Sequence, residues 1–363
     1  MAENGLFELK VFYTWGEESI KPKYDPDFGR EVEWDIPLLQ GYQYQFVKNV
    51  AKNPGSHHFF GIDNPYLIQD IKAWGADVLW VWGWSFRSHL KAIRYFHGKI
   101  PVWFRGDSIS LTKIQGVKGV LRRVFLKWVY SHVDLAFYVG EHNKNYYLEH
   151  GLKSDQLELA RHAVDNLRFE KSQVSNDMIT AFRNQLGLLE ADFVVLFAGK
   201  LEPRKNPFYL KEIWGDITSK NIKLLVVGNG PLELGLKDKC KNDERIVFLD
   251  FQNQTQMPKL YKSCNALILP SGSETWGLAI NEAMASGIPV LASEFCGGAI
   301  DLIQGNCGSI FALDNVRAVA NTIEGWSIDH ELYLKMKEEV QKQIQDFSYQ
   351  KIVDAVIERV KML

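Results

Sequence analysis

The sequence is short of several things, and each shortage excludes a class of protein. Cysteine is scarce: Cys240, Cys264, Cys296 and Cys307 are the four among 363 residues, and they follow no metal-ligand spacing. That argues against a disulfide framework or a zinc module, and for reduced thiols in a cytosolic protein. Charge of one sign is also lacking. With a formal net charge of −2, nothing recommends nucleic acid as a partner. No apolar run reaches the 18 residues of a spanning segment, and "MAENGLFELK" lacks the pattern of a secretory leader, so the expected location is the cytoplasm. Short-period repeats and low-complexity tracts are absent too.

What is present is a globular composition, 46% hydrophobic and 24% charged, with 13% aromatic residues and eleven tryptophans. The length suffices for two ordinary domains. Apolar runs at 9–14, 78–82, 102–104 and 135–139 read as strands in the first half. Those at 193–198, 223–227, 246–249, 266–269 and 289–292 do so in the second. Between them lie helical patterns such as 65–74, 85–96 and 117–130. Alternation of this kind predicts an α/β protein with mostly parallel sheets: two doubly wound domains facing a cleft, with ligand at the carboxyl ends of the strands. The weakly patterned "FEKSQVSNDM" at 169–178 reads as the linker. The expected division is a first domain over 1–168, a second over 169–345, and a C-terminal helix over 346–363 that packs back on the first.

The most informative stretch is "SGSETWGLAINEAMASGIPVLAS" at 271–293. A polar loop leads into a helix beginning near Trp276, with Ser273 or Thr275 as its cap, and Gly287 ends it. Most residues of that helix are small and apolar, yet Glu282 sits among them. A carboxylate there needs a partner. It either points out of a polar edge beside Asn281, pairs with a lysine, or meets a ligand. Glu274, eight residues earlier, adds a second carboxylate before a helix N-terminus that itself attracts anions. Amides for phosphate and carboxylates for hydroxyls suit a nucleotide-sugar.

Two other strand ends contribute. "FAGKLEPRKNP" at 197–207 carries Lys200, Arg204 and Lys205, either a solvated basic loop or positive charge over the same helix N-terminus. "VVGNGPLE" at 226–233 offers Gly228 and Gly230 for close backbone approach, but without the third glycine of a dinucleotide fingerprint. In the first half, "RGDS" places Asp107 just after a strand, as a cleft residue or a turn former. "DPD" at 25–27 imitates a metal-binding D-x-D but falls in a proline-broken loop, and no metal site is expected there. Val117, Val120, Leu121, Val124, Phe125 and Trp128 recur at helical spacing opposite Lys118, Arg122, Arg123 and Lys127. Such a helix either covers a sheet or lies on an anionic membrane.

"GKLEPRKNP", "VVGNGPLE" and "SETWGLAINEAMASGIPVLAS", in that order and spacing, resemble the donor-binding half of family-4 retaining glycosyltransferases with the GT-B fold. "RIVFLDFQNQTQMPKLYKSCNALILPS" and "HAVDNLRF" add to the match. "DFGREVEWDIPLLQGYQYQF" and "VWFRGDS" are similar to a bacterial subgroup that builds surface polysaccharides or glycolipids. The resemblance implies that Glu282 holds the ribose hydroxyls and Glu274 meets the transferred sugar. It also implies that Lys200 and Lys205, with Arg204 and the amides near Gly277 and Leu278, neutralise the diphosphate of a UDP- or GDP-linked donor. A ligand rather than a side chain is then the partner of Glu282. No metal or further cofactor is implied. The acceptor is a saccharide or a lipid-linked one, which allows peripheral contact with the inner membrane surface. Relatives often carry a histidine near Asp107; here Asp107 and Arg105 are the candidates for that role.

The sequence departs from the pattern at Lys200, where arginine is usual, and at Asp250 and Asn265. At the start only "MAENG" precedes "LFELKVFYT", so the first sheet is expected to lack a central strand. Two rivals accompany the transferase reading. One is an inactive nucleotide-binding partner of another transferase; the other is a nicotinamide-dependent dehydrogenase, which the missing fingerprint disfavours.

Overall fold

The computed structural model describes residues 2, 5–25, 28–111 and 116–363. It divides into two compact units. The first comprises Met1–Lys21, Pro37–Arg161 and Gln350–Leu363; the second comprises Pro22–Ile36 and His162–Tyr349. In chain order the strands are β1 (Lys10–Tyr13), β2 (Lys23–Asp25), β3 (Arg30–Val32), β4 (Gln43–Phe46), β5 (Leu79–Trp82), β6 (Val102–Arg105), β7 (Leu135–Tyr138), β8 (Leu157–Leu159), β9 (Phe193–Ala198), β10 (Ile222–Val227), β11 (Ile246–Leu249), β12 (Ala266–Leu269), β13 (Val290–Ser293) and β14 (Gly308–Phe311).

In the second unit six parallel strands run in the order β11-β10-β9-β12-β13-β14. Numbered within the sheet this is 3-2-1-4-5-6, the doubly wound order with a reversal between its first and fourth strands. The central strands read "FVVLFA" and "ALIL" because helices cover both faces and leave no position for a polar side chain. Ile213 and Trp214 on the helix Phe208–Asp216, with Ile323 on Val316–Ile328, fill one such layer; all three are fully buried. β2 and β3 form an antiparallel hairpin that belongs to this unit despite its place near the chain start. Phe28 packs edge-on against Phe251 at 4.9 Å, and the amide of Thr255 donates to Asp35 at 3.2 Å.

The first unit holds a parallel sheet in the sequential order β5-β6-β7-β8, and β1 is not part of it. β1 pairs in parallel with β4 alone. The C-terminal helix Tyr349–Val360 packs in this unit, with Val356 buried beside Trp103, Phe137 and Ala160.

The expected linker at 169–178 is not a linker. Asn166–Glu170 is helical and Phe169 is fully buried, 5.9 Å from the ring of Tyr261. Ser175 then caps a second helix, Asn176–Gln185, by accepting from the amide of Met178. The two units part at Arg161/His162 instead. The tract looks unpatterned because one helix ends and another begins inside it.

Candidate functional site

The reversal of strand order leaves the segments after β9 and β12 adjacent at the carboxyl ends of the strands. Those are residues 199–205 and 270–277, the two basic and acidic loops singled out in the sequence. Backbone hydrogen bonds fasten them together. The amide of Gly272 donates to the Arg204 carbonyl at 2.8 Å. On its other side the second loop is held by residues 293–297. Ser293 Oγ donates to the Ser271 carbonyl, and the Glu274 amide to Phe295 O at 3.1 Å. Gly297 donates back to Glu274 O at 2.9 Å. With its backbone fixed on both sides, Glu274 directs its carboxylate at Lys205, and the two form an ion pair. Both side chains are only 18% exposed.

The helix after this loop is Leu278–Ala285, and its cap is Gly277, not Ser273 or Thr275 as expected. Gly277 adopts φ +93°, which favours glycine, and a Cβ there would stand 3.2 Å from Leu269 Cδ2. No side chain caps the helix, and Leu278 at its first turn is exposed. An uncapped N-terminus carries partial positive charge and amides aimed outward. Beneath it, Trp276 donates from Nε1 to Asn281 Oδ1 at 2.7 Å, and Asn281 Nδ2 donates to the His162 carbonyl at 3.1 Å. Trp276 and Asn281 are both buried, so the loop rests on a rigid floor.

Glu282 lies one turn further along. A protein side chain does meet it: Tyr261 donates its hydroxyl to Glu282 Oε2 at 2.8 Å. The expectation of a ligand as sole partner is therefore corrected. Burial pushes the Glu282 carboxyl above its usual value, while the Tyr261 hydroxyl and the Arg168 charge pull it back. Tyr261 is itself fully buried, on the helix Met257–Lys262, and nothing local in "MPKLYKSC" marks it.

The remaining candidates are distributed differently from the expectation. Lys200 reaches Asp25, 3.0 Å from both carboxylate oxygens, and lies 5.0 Å from the Phe28 ring centre. Asp25 thus serves as an ion-pair partner from the hairpin; Asp27 lies outside the described residues. Arg204 pairs with the buried Glu202 at 2.9 Å. Gly228 and Gly230 do permit close approach, but to the chain's own backbone. A Cβ at Gly228 would stand 2.1 Å from Gly199 O, and one at Gly230 2.6 Å from Leu201 O. They seat the loop after β10 against the lysine loop, so their part in the site is to hold the lysines in place. In the first unit Asp107 is exposed just beyond β6. Arg105 is not available for chemistry. It is 3% exposed, donates from Nη1 to Ala160 O at 2.8 Å, and burial lowers its pKa to about 10. Among the described residues, no group of three His, Cys, Asp or Glu side chains is placed to hold a metal ion.

A doubly wound unit with cations, carboxylates and an uncapped helix at its switch point has the groups to receive phosphate and hydroxyls. Residues 178–343 match the family model for glycosyl transferases group 1. The match covers just under half of the chain. A glycosyltransferase of Methanocaldococcus jannaschii, itself uncharacterized, is 32% identical over 156 residues, 42% of this chain and 38% of that protein. An Escherichia coli UDP-Gal:alpha-D-GlcNAc-diphosphoundecaprenol alpha-1,3-galactosyltransferase is 28% identical over 179 residues, 47% of this chain and 46% of that enzyme. The chain therefore spans less than half the length of these curated relatives. The crystal structure of Anabaena HepE in complex with UDP superimposes with a TM-score of 0.70 at 19% identity, covering 82% of this chain and 81% of that one. The chain accordingly has an α/β architecture that matches GT-B glycosyltransferase structures.

Proposed function

We propose that the protein is a retaining, metal-independent glycosyltransferase that moves a sugar from a nucleotide-sugar to a saccharide or lipid-linked acceptor. The observation that carries this reading is the Lys205–Glu274 ion pair at the switch point, beside an uncapped helix and one turn from Glu282. In the reaction the bond between the anomeric carbon and the donor's phosphate oxygen breaks, and its electron pair leaves with the nucleoside diphosphate. The acceptor hydroxyl oxygen bonds to the anomeric carbon on the same face, and its proton passes to the leaving phosphate. Lys205 and the amides at Gly277 and Leu278 meet the charge that develops on that phosphate, which is where preorganised cations lower a barrier most. Lys200 joins them by exchanging Asp25 for phosphate. Glu274 binds hydroxyls of the transferred sugar and Glu282 those of the ribose. Asp107 is the acceptor-side candidate. With lysines supplying the positive charge, a metal ion has no necessary part.

A UDP-linked donor is favoured because UDP or UDP-Gal appears with the relatives named above. The same E. coli relative acts on a diphosphoundecaprenol-linked sugar, which supports a lipid-linked acceptor and peripheral work at the inner membrane face.

Calorimetric titration of UDP, GDP and ADP into the wild type and Glu282→Ala tests the donor site. One nucleotide should bind, and the variant should lose it; no binding to the wild type overturns the reading. A partner subunit without activity would bind nucleotide yet neither transfer nor hydrolyse the donor. Proton NMR of the product's anomeric signal reads the stereochemistry, and activity retained in EDTA supports metal independence.

A further inference from the structure

Of the two readings offered for the helix Gly116–Tyr130, the first fails, because the helix does not cover a sheet with its apolar stripe. Its buried residues are Leu126, Val129 and Tyr130. The apolar stripe read from the sequence faces solvent instead. Val117 is 75% exposed, Val120 63%, Leu121 64%, Val124 62%, Phe125 38% and Trp128 39%. At about 100° per residue, these six fall within an arc of about 140°, centred opposite the buried three. Lys118 and Arg122 border one edge of that arc, and Arg123 and Lys127 the other. The fifteen residues contain no Asp or Glu. From the neighbouring helix Arg94 stands over the Trp128 ring at 5.3 Å, which extends the basic fringe. Arg123 is engaged with Glu149 at 2.7 Å but remains half-exposed.

Six contiguous apolar side chains on the outer face of a surface helix cost free energy in water, and solvation of the helix does not require them there. Cations on both borders, with Glu149 against Arg123 as the one carboxylate described there, fit a surface that is apolar inside and negative at its edge. A bilayer with anionic headgroups has that profile, with Trp128 placed at the level where indole rings settle. A second copy of this chain fits badly: two such faces meeting about a twofold axis would set four cations against four.

We infer that the exposed face of Gly116–Tyr130 is a docking surface for an anionic lipid bilayer. This names the place of the membrane contact proposed above, yet it stands on this helix alone and does not depend on the donor site. Among the described residues no helix is long and apolar enough to cross a membrane. The association is therefore through a surface-lying helix, salt-sensitive and reversible.

The test is co-sedimentation of the full chain with vesicles of phosphatidylcholine, with and without phosphatidylglycerol. The wild type should partition onto the anionic vesicles at least about tenfold better than onto neutral ones, and raised salt should diminish this. Leu121→Asp/Val124→Asp should lose about tenfold or more, and Lys118→Gln/Lys127→Gln about fivefold per lysine. All these side chains are exposed, so the variants should fold, and unchanged far-ultraviolet circular dichroism and melting confirm that they do. Equal binding to both vesicle types, no binding, or full binding by the aspartate variant would each overturn the inference. So would a wild-type dimer in sedimentation velocity that the aspartate variant abolishes, since a second copy would then cover the face. Calorimetry with UDP, GDP and ADP on the same proteins separates the two claims. A wild type that binds vesicles but no nucleotide refutes the transferase reading and leaves the docking surface standing, and the converse result does the opposite.

Discussion

Lys205 and Glu274 neutralise one another across the loops that follow β9 and β12, although each is assigned to a different part of the donor. The pair fixes both side chains before substrate arrives, and the incoming phosphate must compete with Glu274 for the lysine. Glu274→Gln should therefore keep or modestly strengthen UDP binding while lowering kcat/KM for transfer by about 100-fold. Lys205→Ala should lower kcat by a similar factor and UDP affinity by less than about tenfold, because its charge counts most at the transition state. Steady-state kinetics beside calorimetry decide the matter; equal losses in both quantities for Lys205→Ala would refute it.

Glu282 is held in a site that resists its charge. Its folded pKa is raised above 4.5, so its contribution to stability is complete below that value and is lost as pH rises through the folded pKa. At neutral pH the ionised carboxylate is thus a liability to folding. Glu282→Gln should melt at or above the wild-type temperature at pH 7, and this advantage should vanish near pH 4. Nucleotide binding should drop by about 10- to 100-fold, as expected for loss of a charged hydrogen-bond acceptor. A melting temperature below wild type at pH 7 would contradict the assignment.

Tyr261→Phe removes the hydroxyl that donates to Glu282. The Glu282 carboxyl should then titrate still higher, so the acid limb of UDP binding should move to higher pH. Affinity at pH 7 should fall about threefold to tenfold, in line with a hydrogen bond worth about 1 kcal/mol. A uniform loss at every pH, with no movement of the limb, would mean that Tyr261 only supports packing.

Asp25→Ala releases Lys200 from its hairpin partner. If Lys200 is a phosphate ligand that must first leave Asp25, UDP should bind about fivefold tighter, the scale of a partly exposed ion pair worth about 1 kcal/mol. Unchanged affinity with reduced stability would assign Lys200 to anchoring the hairpin.

Gly228→Ala and Gly272→Ala make a contrasting pair. The first drives a Cβ to 2.1 Å from Gly199 O, whereas the second meets nothing nearer than Arg204 O at 3.9 Å. Chemical denaturation should show a loss of about 3 kcal/mol or more for Gly228→Ala and little for Gly272→Ala.

The second sheet was legible because continuous apolar runs admit one reading: 193–198, 246–249 and 266–269 are strands to the residue. β2, β3, β4, β8 and β14 escaped notice because three- and four-residue strands outside the sheet centres, such as "KYD", "QYQF" and "GSIF", carry too few positions to show a period. At the site, residue types were readable and partnerships were not. Tyr261 lies 21 residues from Glu282 and Asp25 lies 175 from Lys200, separations that no local pattern spans. Gly228 and Gly230 illustrate the converse error. Their need for closeness was visible, but not whose atoms would come close.

The hairpin of β2 and β3 gives the chain an awkward order of assembly. Residues 22–36 are made before the rest of the unit they complete, which begins at residue 162. Throughout synthesis of the intervening 37–161 segment the hairpin has nothing to dock on, and Phe28 and Asp25 wait for Phe251 and Lys200. A fragment cut at the apparent boundary, 162–349, would carry every motif of the donor half and still lack one strip of its own surface. Severing the molecule by sequence order would divide what the fold has joined.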